Sequence, residues 1–579
     1  MHLRQLHDKR IGHTYLSAVH GYRDSSGKSK SKVIEHFGRL DKLQELYEDP
    51  IAHFEKVVAE MEAQRIANKS ITVNIDMEEQ LSRGEALRKN FGYVLLSQIY
   101  HELKIDQFLH NARRHEKHKF NTEAMMRLLL YSRLLEPGSK RASFINKDYF
   151  FDKFDFDLHD VYSALTHYDK IAEALQQHLH EQVVEQYNRN TKLVYYDVTN
   201  YYYESDKQDD LRRKGCGKQG KRKPLVQMGL FMDMESLPLM YKIFPGNTHD
   251  SQTLMPMLAQ VKKKYKTKRI ITVADKGLNS GDNIAFNTAL GDGYIFSKSV
   301  RGASEAFKTW VTDPAGYSTH GTKGIQSKGY RYKSMIVPDA EVKIHVDKPG
   351  GKVGKKTIRV EQKWIAIYSE KYAKRAKHKR EEVIAKALDM IVKPHKYKGV
   401  LDYGAAGYIK NLKVDKENGQ ILDTKDLMYL DEERIAEEER LDGYYALITS
   451  ELDDTDEHII STYHGLWRIE ESFKITKSVL GTHPIYVNTP EHVNAHMLIC
   501  FLALLIGRII ERRLEGKYTF AQIVEVLRKI ECSHASANIW LFDYACEFTD
   551  ELNRVFGADF GKKHMTLAQI KNFLAESKK

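Results

Sequence analysis

The chain has 579 residues, of which 42% are apolar and 29% charged. That balance excludes a disordered or fibrous class and leaves room for several domains around at least one large core. Lys and Arg outnumber Asp and Glu by 90 to 79, a formal charge of +11, which points to a polyanionic partner such as nucleic acid, with a merely basic soluble protein as the alternative.

Cys216, Cys500, Cys532 and Cys546 form no CxxC pair, which argues against a disulfide framework or zinc ribbon and fits a reducing, cytoplasmic setting. The opening stretch "MHLRQLHDKRIGHTY" lacks the apolar core of a signal peptide. It is followed by "YLSAVHGYRDSSGKSKSKVIEHFGRL", two strand-like runs around a Gly/Ser/Lys turn, which predicts a hairpin. Helical periodicity then holds over 79–188, as in "EALRKNFGYVLLSQIYHELKIDQFL" and "NTEAMMRLLLYSRLL", with Asn121 as an N-cap.

The texture changes at Lys192. "KLVYYDVTNYYYES" reads as a strand, and "LVQMGLFMDM" and "LPLMYKIFPG" as two more, joined by a tight turn at Glu235-Ser236. "DSQTLMPMLAQVKKKY" is a helix with Asp250 or Ser251 as cap, "RIITVADKG" an apolar strand ending on Asp275, "SGDNIAFNTAL" a helix and "DGYIFSKSV" a strand. Three consecutive strands, then helix, strand, helix, strand, is the ribonuclease-H-like plan: an α/β fold with a mixed sheet flanked by helices. Residues 302–442 interrupt this plan with strand-like pieces, a Gly/Lys-rich turn and a charged helix near "RAKHKREEVIAKAL". The plan resumes at "DGYYALITSE" and a long helix over 456–480. "MLICFLALLIG" is too short to span a bilayer and runs into Arg508, so it is expected to be a buried core helix. The expected organisation is a hairpin plus helical region over 1–190, the first part of the core over 191–301, a β-rich insertion over 302–442, the second part of the core over 443–515, and a helical region over 516–579.

Three carboxylates stand out. Asp197 interrupts a run of β-branched and aromatic residues, where a carboxylate needs a partner that offsets its desolvation. Strand alternation puts Tyr195, Asp197 and Thr199 on one face and Val194, Tyr196 and Val198 on the other. Asp275 ends its strand, the end at which open sheets with parallel strands place ligands. If the two strands are neighbours, both carboxylates meet at one sheet edge, where like charges need a cation between them. Oxygen-rich sites of this kind suit Mg²⁺ or Mn²⁺. In "DEHIISTYHGLWRIEESFKITKSVL", Ile459, Leu466, Phe473 and Leu480 recur every seven residues as a core-facing stripe. Tyr463, Glu470 and Lys477 recur beside it. At about 100° per residue, Glu470 belongs to this inner side and Glu471 is swung away. The bland alternatives are an edge-strand Asp197, a turn-capping Asp275 and a solvated Glu470.

These residues carry a resemblance. The pieces "YYDVTNYYYES", "PGNTHDSQTL", "VADKGLNS", "DGYYALITS" and "YHGLWRIEESFKITKSVL" resemble the DDE transposases of bacterial insertion sequences, in the branch with a β-strand-rich insertion between the second Asp and the Glu. The resemblance implies that Asp197, Asp275 and Glu470 are catalytic and hold two Mg²⁺ ions (Mn²⁺ as substitute), and that Tyr463 and Lys477 contact DNA phosphate. It implies cleavage at transposon ends and strand transfer, without a covalent tyrosine intermediate. The implied partners are double-stranded DNA, both terminal inverted repeats and target, and a second copy of the chain on paired ends. No membrane is expected; the setting is the cytoplasm, on the nucleoid when bound to DNA. Leu466 stands where the family has an Arg, and Arg468, two positions on, is expected to point roughly 200° away. In the loop "DKQDDLRRKGCGKQGKRKP", Arg212, Arg213, Lys221 and Arg222 are candidate phosphate contacts, with a solvated loop as the alternative. The rival readings of function are a DNA-binding regulator derived from a transposase that no longer cuts, and a ribonuclease-H-like junction nuclease.

Overall fold

The order of strands in the main sheet defines this fold, and each strand's place follows from its burial. The computed structural model describes residues 1–8, 12–23, 29–67, 80, 87–114, 120–204, 206–215, 223–265, 267–319, 330–348, 352–393, 403–410, 428–536 and 538–578. It divides into two compact units, 1–83 and 84–579.

The first unit contains an antiparallel sheet of His2–Asp8, His13–Arg23 and Ser29–Arg39, followed by helices Leu40–Gln44 and Pro50–Ala67. The expected hairpin is the last two of these strands. The first was not anticipated, because "HLRQLHD" pairs with its neighbour along its whole length without an alternating apolar face of its own.

In the second unit, α1 (Tyr93–Glu102), α2 (Ile105–Arg113), α3 (Thr122–Leu135) and α4 (Leu158–Tyr187) form the expected helical region. Asn121 caps α3 by accepting from Ala124 N at 3.2 Å. These helices share a core with the rest of the unit, so the grouping 1–190 spans two compact units.

The main sheet begins with β1 (Leu193–Tyr202), β2 (Pro224–Asp233) and β3 (Pro238–Pro245). Ser236, at φ 68°, makes the tight turn between β2 and β3. Then follow α5 (Leu254–Tyr265), β4 (Ile271–Ala274), α6 (Gly281–Ala289) and β5 (Gly293–Lys298). The spatial order is β3-β2-β1-β4-β5, with β1, β4 and β5 parallel and β2 and β3 antiparallel to their neighbours. That is the ribonuclease-H-like sheet. Val194, Tyr196 and Val198 pack with α5 and α6 on one face, while Tyr195 and Tyr201 join the larger core on the other, as strand alternation requires.

The insertion does not stand apart from this sheet. Its strand-like pieces join into a long ribbon, β6 (Tyr330–Lys348) and β7 (Lys352–Ser369), followed by α7 (Glu370–Val392). β7 pairs with β8 (Tyr444–Thr449), which pairs with β5. A register shift between Val337 and Ala340 interrupts the ribbon, and Val342 of its outer half packs into the core under α6.

The expected long helix over 456–480 is two helices, α8 (Asp456–His464) and α9 (Trp467–Ser478). The break is one tight turn: Gly465 N is shared between Ser461 O at 3.2 Å and Thr462 O at 3.0 Å, Leu466 N reaches Tyr463 O at 3.0 Å, and Arg468 N reaches Gly465 O at 3.1 Å, three-residue bonds that tighten the chain. α10 (Pro490–Arg513) starts with Thr489 accepting from His492 N at 3.3 Å and Pro490 in its first turn. It is long and apolar enough to cross a membrane by composition, yet 94% of its most apolar window is buried inside the fold. The last region is not helical throughout: Glu531–Ser536, Ile539–Phe542 and His564–Thr566 form a small sheet with Arg88–Asn90.

Candidate active site

β1 and β4 bring the first two carboxylates together. Their last in-register pair is Tyr196 with Ala274, and Asp275 remains extended at φ −78°, ψ 171°. Asp197 and Asp275 therefore occupy the next rung of adjacent parallel strands, on the same face of the sheet. Asp197 is half-buried and Asp275 exposed. One oxygen of Asp197 accepts from Val198 N at 2.7 Å. Asp275 Oδ1 accepts from Ser297 Oγ at 2.8 Å and from Tyr463 Oη at 3.3 Å, which leaves Oδ2 open among the described residues.

The helix pair α8–α9 lies across that face, and three bonds fix it there. Tyr195 Oη donates to Thr462 O at 3.2 Å, Tyr201 Oη bonds Thr476 Oγ1 at 2.8 Å, and Lys477 Nζ donates to Thr199 Oγ1 at 2.5 Å. Tyr463 is thus anchored at Asp275 and Lys477 beside Asp197's strand, with Glu470 midway between them. Glu470 is exposed and has no hydrogen bond or ion pair among the described residues. It lines one cleft of about 930 Å³ with Asp275. Glu471 turns elsewhere, to an ion pair at 2.8 Å with buried Arg508 of α10. Ile459, Leu466, Phe473 and Leu480 are all buried, so the core stripe persists through the tight turn.

The electrostatics favour protonated tyrosines around this site. Burial first, then the Asp275 charge, holds the Tyr463 phenol well above its ordinary range, so it remains a donor to Asp275. Tyr195, Tyr196, Tyr201 and Tyr203 are buried and shifted the same way, burial being the largest cause in each.

Leu466 lies in the core, and Arg468 reaches Tyr195. Its Nη1 lies 2.6 Å from where a Cβ on Gly465 would stand, and Tyr195 Oη lies 2.0 Å from that same point. The tight turn brings its guanidinium to Tyr195, whose phenol it draws down against the effect of burial. Asp250 does not cap α5 through its side chain; it precedes that helix in a short 3-10 turn and accepts from Gln227 Nε2 at 3.4 Å.

The basic loop is partly committed to the fold. Arg212 is buried, bonds Asp209 at 2.6 Å and Asn488 at 3.2 Å, and lies over the Tyr203 ring. Arg213 is partly exposed and paired with Asp210 at 3.1 Å. Lys221 and Arg222 lie outside the described residues. Sequence reasoning missed Ser297, whose signal was a lone serine in the apolar run "YIFSK", and the basic residues of α7 that line the same cleft.

No group of three His, Cys, Asp or Glu among the described residues stands close enough to form a ready-made ion cage. The donor chemistry nevertheless fits a hard divalent cation: Asp275 has an open oxygen and Glu470 an uncommitted carboxylate in one cleft, with Asp197 on the adjacent rung.

Two known families match parts of the chain. Residues 4–70 match the IS1634 family transposase N-terminal domain, and residues 188–294, which contain Asp197 and Asp275, match the transposase DDE domain. Together the two matches support an insertion-sequence DDE transposase. No curated protein matches this chain. Among solved structures it is similar to a piggyBac transposase synaptic complex with hairpin DNA, at 8% identity over 75% of this chain and 77% of that one, with a TM-score of 0.36. It is also similar to a Mos1 transposase paired-end complex, at 11% identity over 42% of this chain and 66% of that one, with a TM-score of 0.14. The strand order itself is that of a ribonuclease-H-like core.

Proposed function

We propose that this transposase cuts DNA at the ends of its element and joins the 3′ ends to target DNA, using Asp197, Asp275 and Glu470 to hold divalent cations. The observation that carries the proposal is the shared rung of Asp197 and Asp275, with Glu470 held over the same face by the Tyr463 and Lys477 bonds. When bound, Mg²⁺ would supply charge stabilisation for an in-line displacement at phosphorus and favour the deprotonated nucleophile. The chain's own residues orient this chemistry. Tyr463 and Ser297 fix the rotamer of Asp275 by holding its Oδ1. Lys477, on the Thr199 hydroxyl and over the Tyr201 ring at 5.5 Å, offers a cation to the phosphate beside the cut. A covalent tyrosine route gains no support, because burial around β1 disfavours the tyrosinate. The fold places no exposed membrane-length apolar helix among the described residues. The proposed setting is the cytoplasm, with two copies acting on paired terminal repeats.

The test uses a duplex carrying the terminal inverted repeat that flanks the gene, with Mg²⁺. Wild type should release a 3′-hydroxyl end and join it to target DNA. Asp197→Ala should bind the duplex and cut at least ~1,000-fold more slowly. Binding by both without cutting by either would replace this reading with that of a non-cutting regulator. Equal cutting by both would remove Asp197 from the site.

A further inference from the structure

The cleft has two walls, and the carboxylates occupy only one. The other is α7, the helix of the insertion. Tyr372, Arg375 and Lys379 lie at the three- and four-residue spacings that share a helix face, and all three line the cleft that holds Asp275 and Glu470.

Their charge is not neutralised. Arg375 and Lys379 are exposed and have no acidic partner among the described residues; the same holds for Lys276, next to Asp275. A solvated helix face would pair its cations four residues apart, as α7 does on its outer side with Lys374–Glu370 at 3.0 Å. The acidic residues nearby are already taken. Buried Arg380 pairs with Asp442 and with Glu439 at 3.3 Å, and Arg301 holds Glu438 at 3.0 Å. What remains facing the carboxylates is surplus positive charge.

This wall is also tied to the reacting side. Tyr372 meets the edge of Tyr445 at 5.8 Å, Tyr445 Oη bonds His464 Nε2 at 3.1 Å, and the adjacent Tyr463 donates to Asp275. Contacts thus run without a gap from the inserted helix to a proposed catalytic carboxylate.

We infer that α7 is a phosphate clamp for the DNA strand being cut, with Arg375 and Lys379 binding backbone phosphates that flank the phosphodiester lying across Asp275 and Glu470. Contacts of this type carry register and orientation, not sequence. Both residues are positioning residues. The inference rests on the DNA-cleaving reading.

The test compares wild type with Arg375→Ala/Lys379→Ala and with Lys374→Ala/Lys377→Ala, which removes equal charge from the opposite side of α7. Binding to the terminal-repeat duplex is measured in EDTA across a KCl series, and cleavage separately with Mg²⁺. The cleft variant should lower the slope of log Kd against log salt by about 2 and slow cleavage by about a hundredfold. The control should keep wild-type slope and rate, and both should melt with wild type, since every changed residue is exposed. An unchanged slope in the cleft variant, or an equal loss in the control, overturns the clamp. A lowered slope in the cleft variant beside a wild type that never cuts sinks the cleavage reading and keeps only the phosphate contacts of α7. A wild type that cuts while the cleft variant matches it in slope and rate does the reverse.

Discussion

At the scale of single residues, the site depends on which charges are committed to the fold. Asp233 shows the committed case. Arg189 Nε donates to its Oδ2 at 2.9 Å, while Oδ1 accepts from the backbone N–H groups of Glu235 and Leu237 at 3.0 and 2.9 Å. Arg189 also reaches Pro238 O at 2.9 Å, so one buried pair locks the β2–β3 turn. Removing one partner of such a pair strands the other charge. Arg189→Ala should therefore cost about 3–5 kcal/mol, read as a lowered melting temperature and denaturant midpoint. A loss within ~0.5 kcal/mol would show that Asp233 finds water instead. Glu470 is the opposite case: the fold makes no use of its charge, whereas Glu471 serves Arg508. The sequence periodicity separated these two neighbours because only one lies beside the core stripe. The commitment of Arg212 was not legible, since Asn488 and the Tyr203 ring reach it through tertiary contacts.

At the scale of elements, the tight turn between α8 and α9 decides where three side chains point. Gly465 is required there because a Cβ would fall 2.0 Å from Tyr195 Oη, far inside contact distance. Gly465→Ala should push the helix pair off β1, costing ~1–3 kcal/mol and separating Tyr463 and Glu470 from the Asp197 rung. Melting and end-cleavage assays on the same preparation check this, with cleavage falling more than folded fraction. Wild-type values in both would mean that the Tyr195 ring gives way. A heptad pattern continues through such a turn, which is why the sequence read as one helix.

At the scale of the whole molecule, the helical region and the core meet around a buried base. Lys140, in the short helix Lys140–Ile145, is 3% exposed and bonds His496 Nδ1 of α10 at 3.2 Å. Burial, then the Arg133 charge, lowers its ammonium to about 7. Between about 7 and its ordinary value of 10.5 the unfolded chain holds a proton that the folded chain lacks, so stability rises with pH across that window. Below about 7 both states are protonated and this contribution stops changing. Thermal melts from pH 7 to 10 should show the rise, and Lys140→Met should flatten it. An equal slope in both proteins would assign the pH dependence to other groups.

The sequence by itself determined the strand and helix order of the core, the alternation that puts Asp197 on the Tyr195 face, and the placement of Glu470, not Glu471, beside the core stripe. Each of these follows from local periodicity, which survives whatever the rest of the chain does. Only the tertiary structure decided that Asp197 and Asp275 share a rung, because register between distant strands depends on the packing of both sheet faces. It alone turned the insertion into an extension of the core sheet, since β7 pairs with β8 across 74 or more intervening residues. And it alone set α7 opposite the carboxylates, because a helix with exposed cations reads the same in sequence whether it faces water or a cleft.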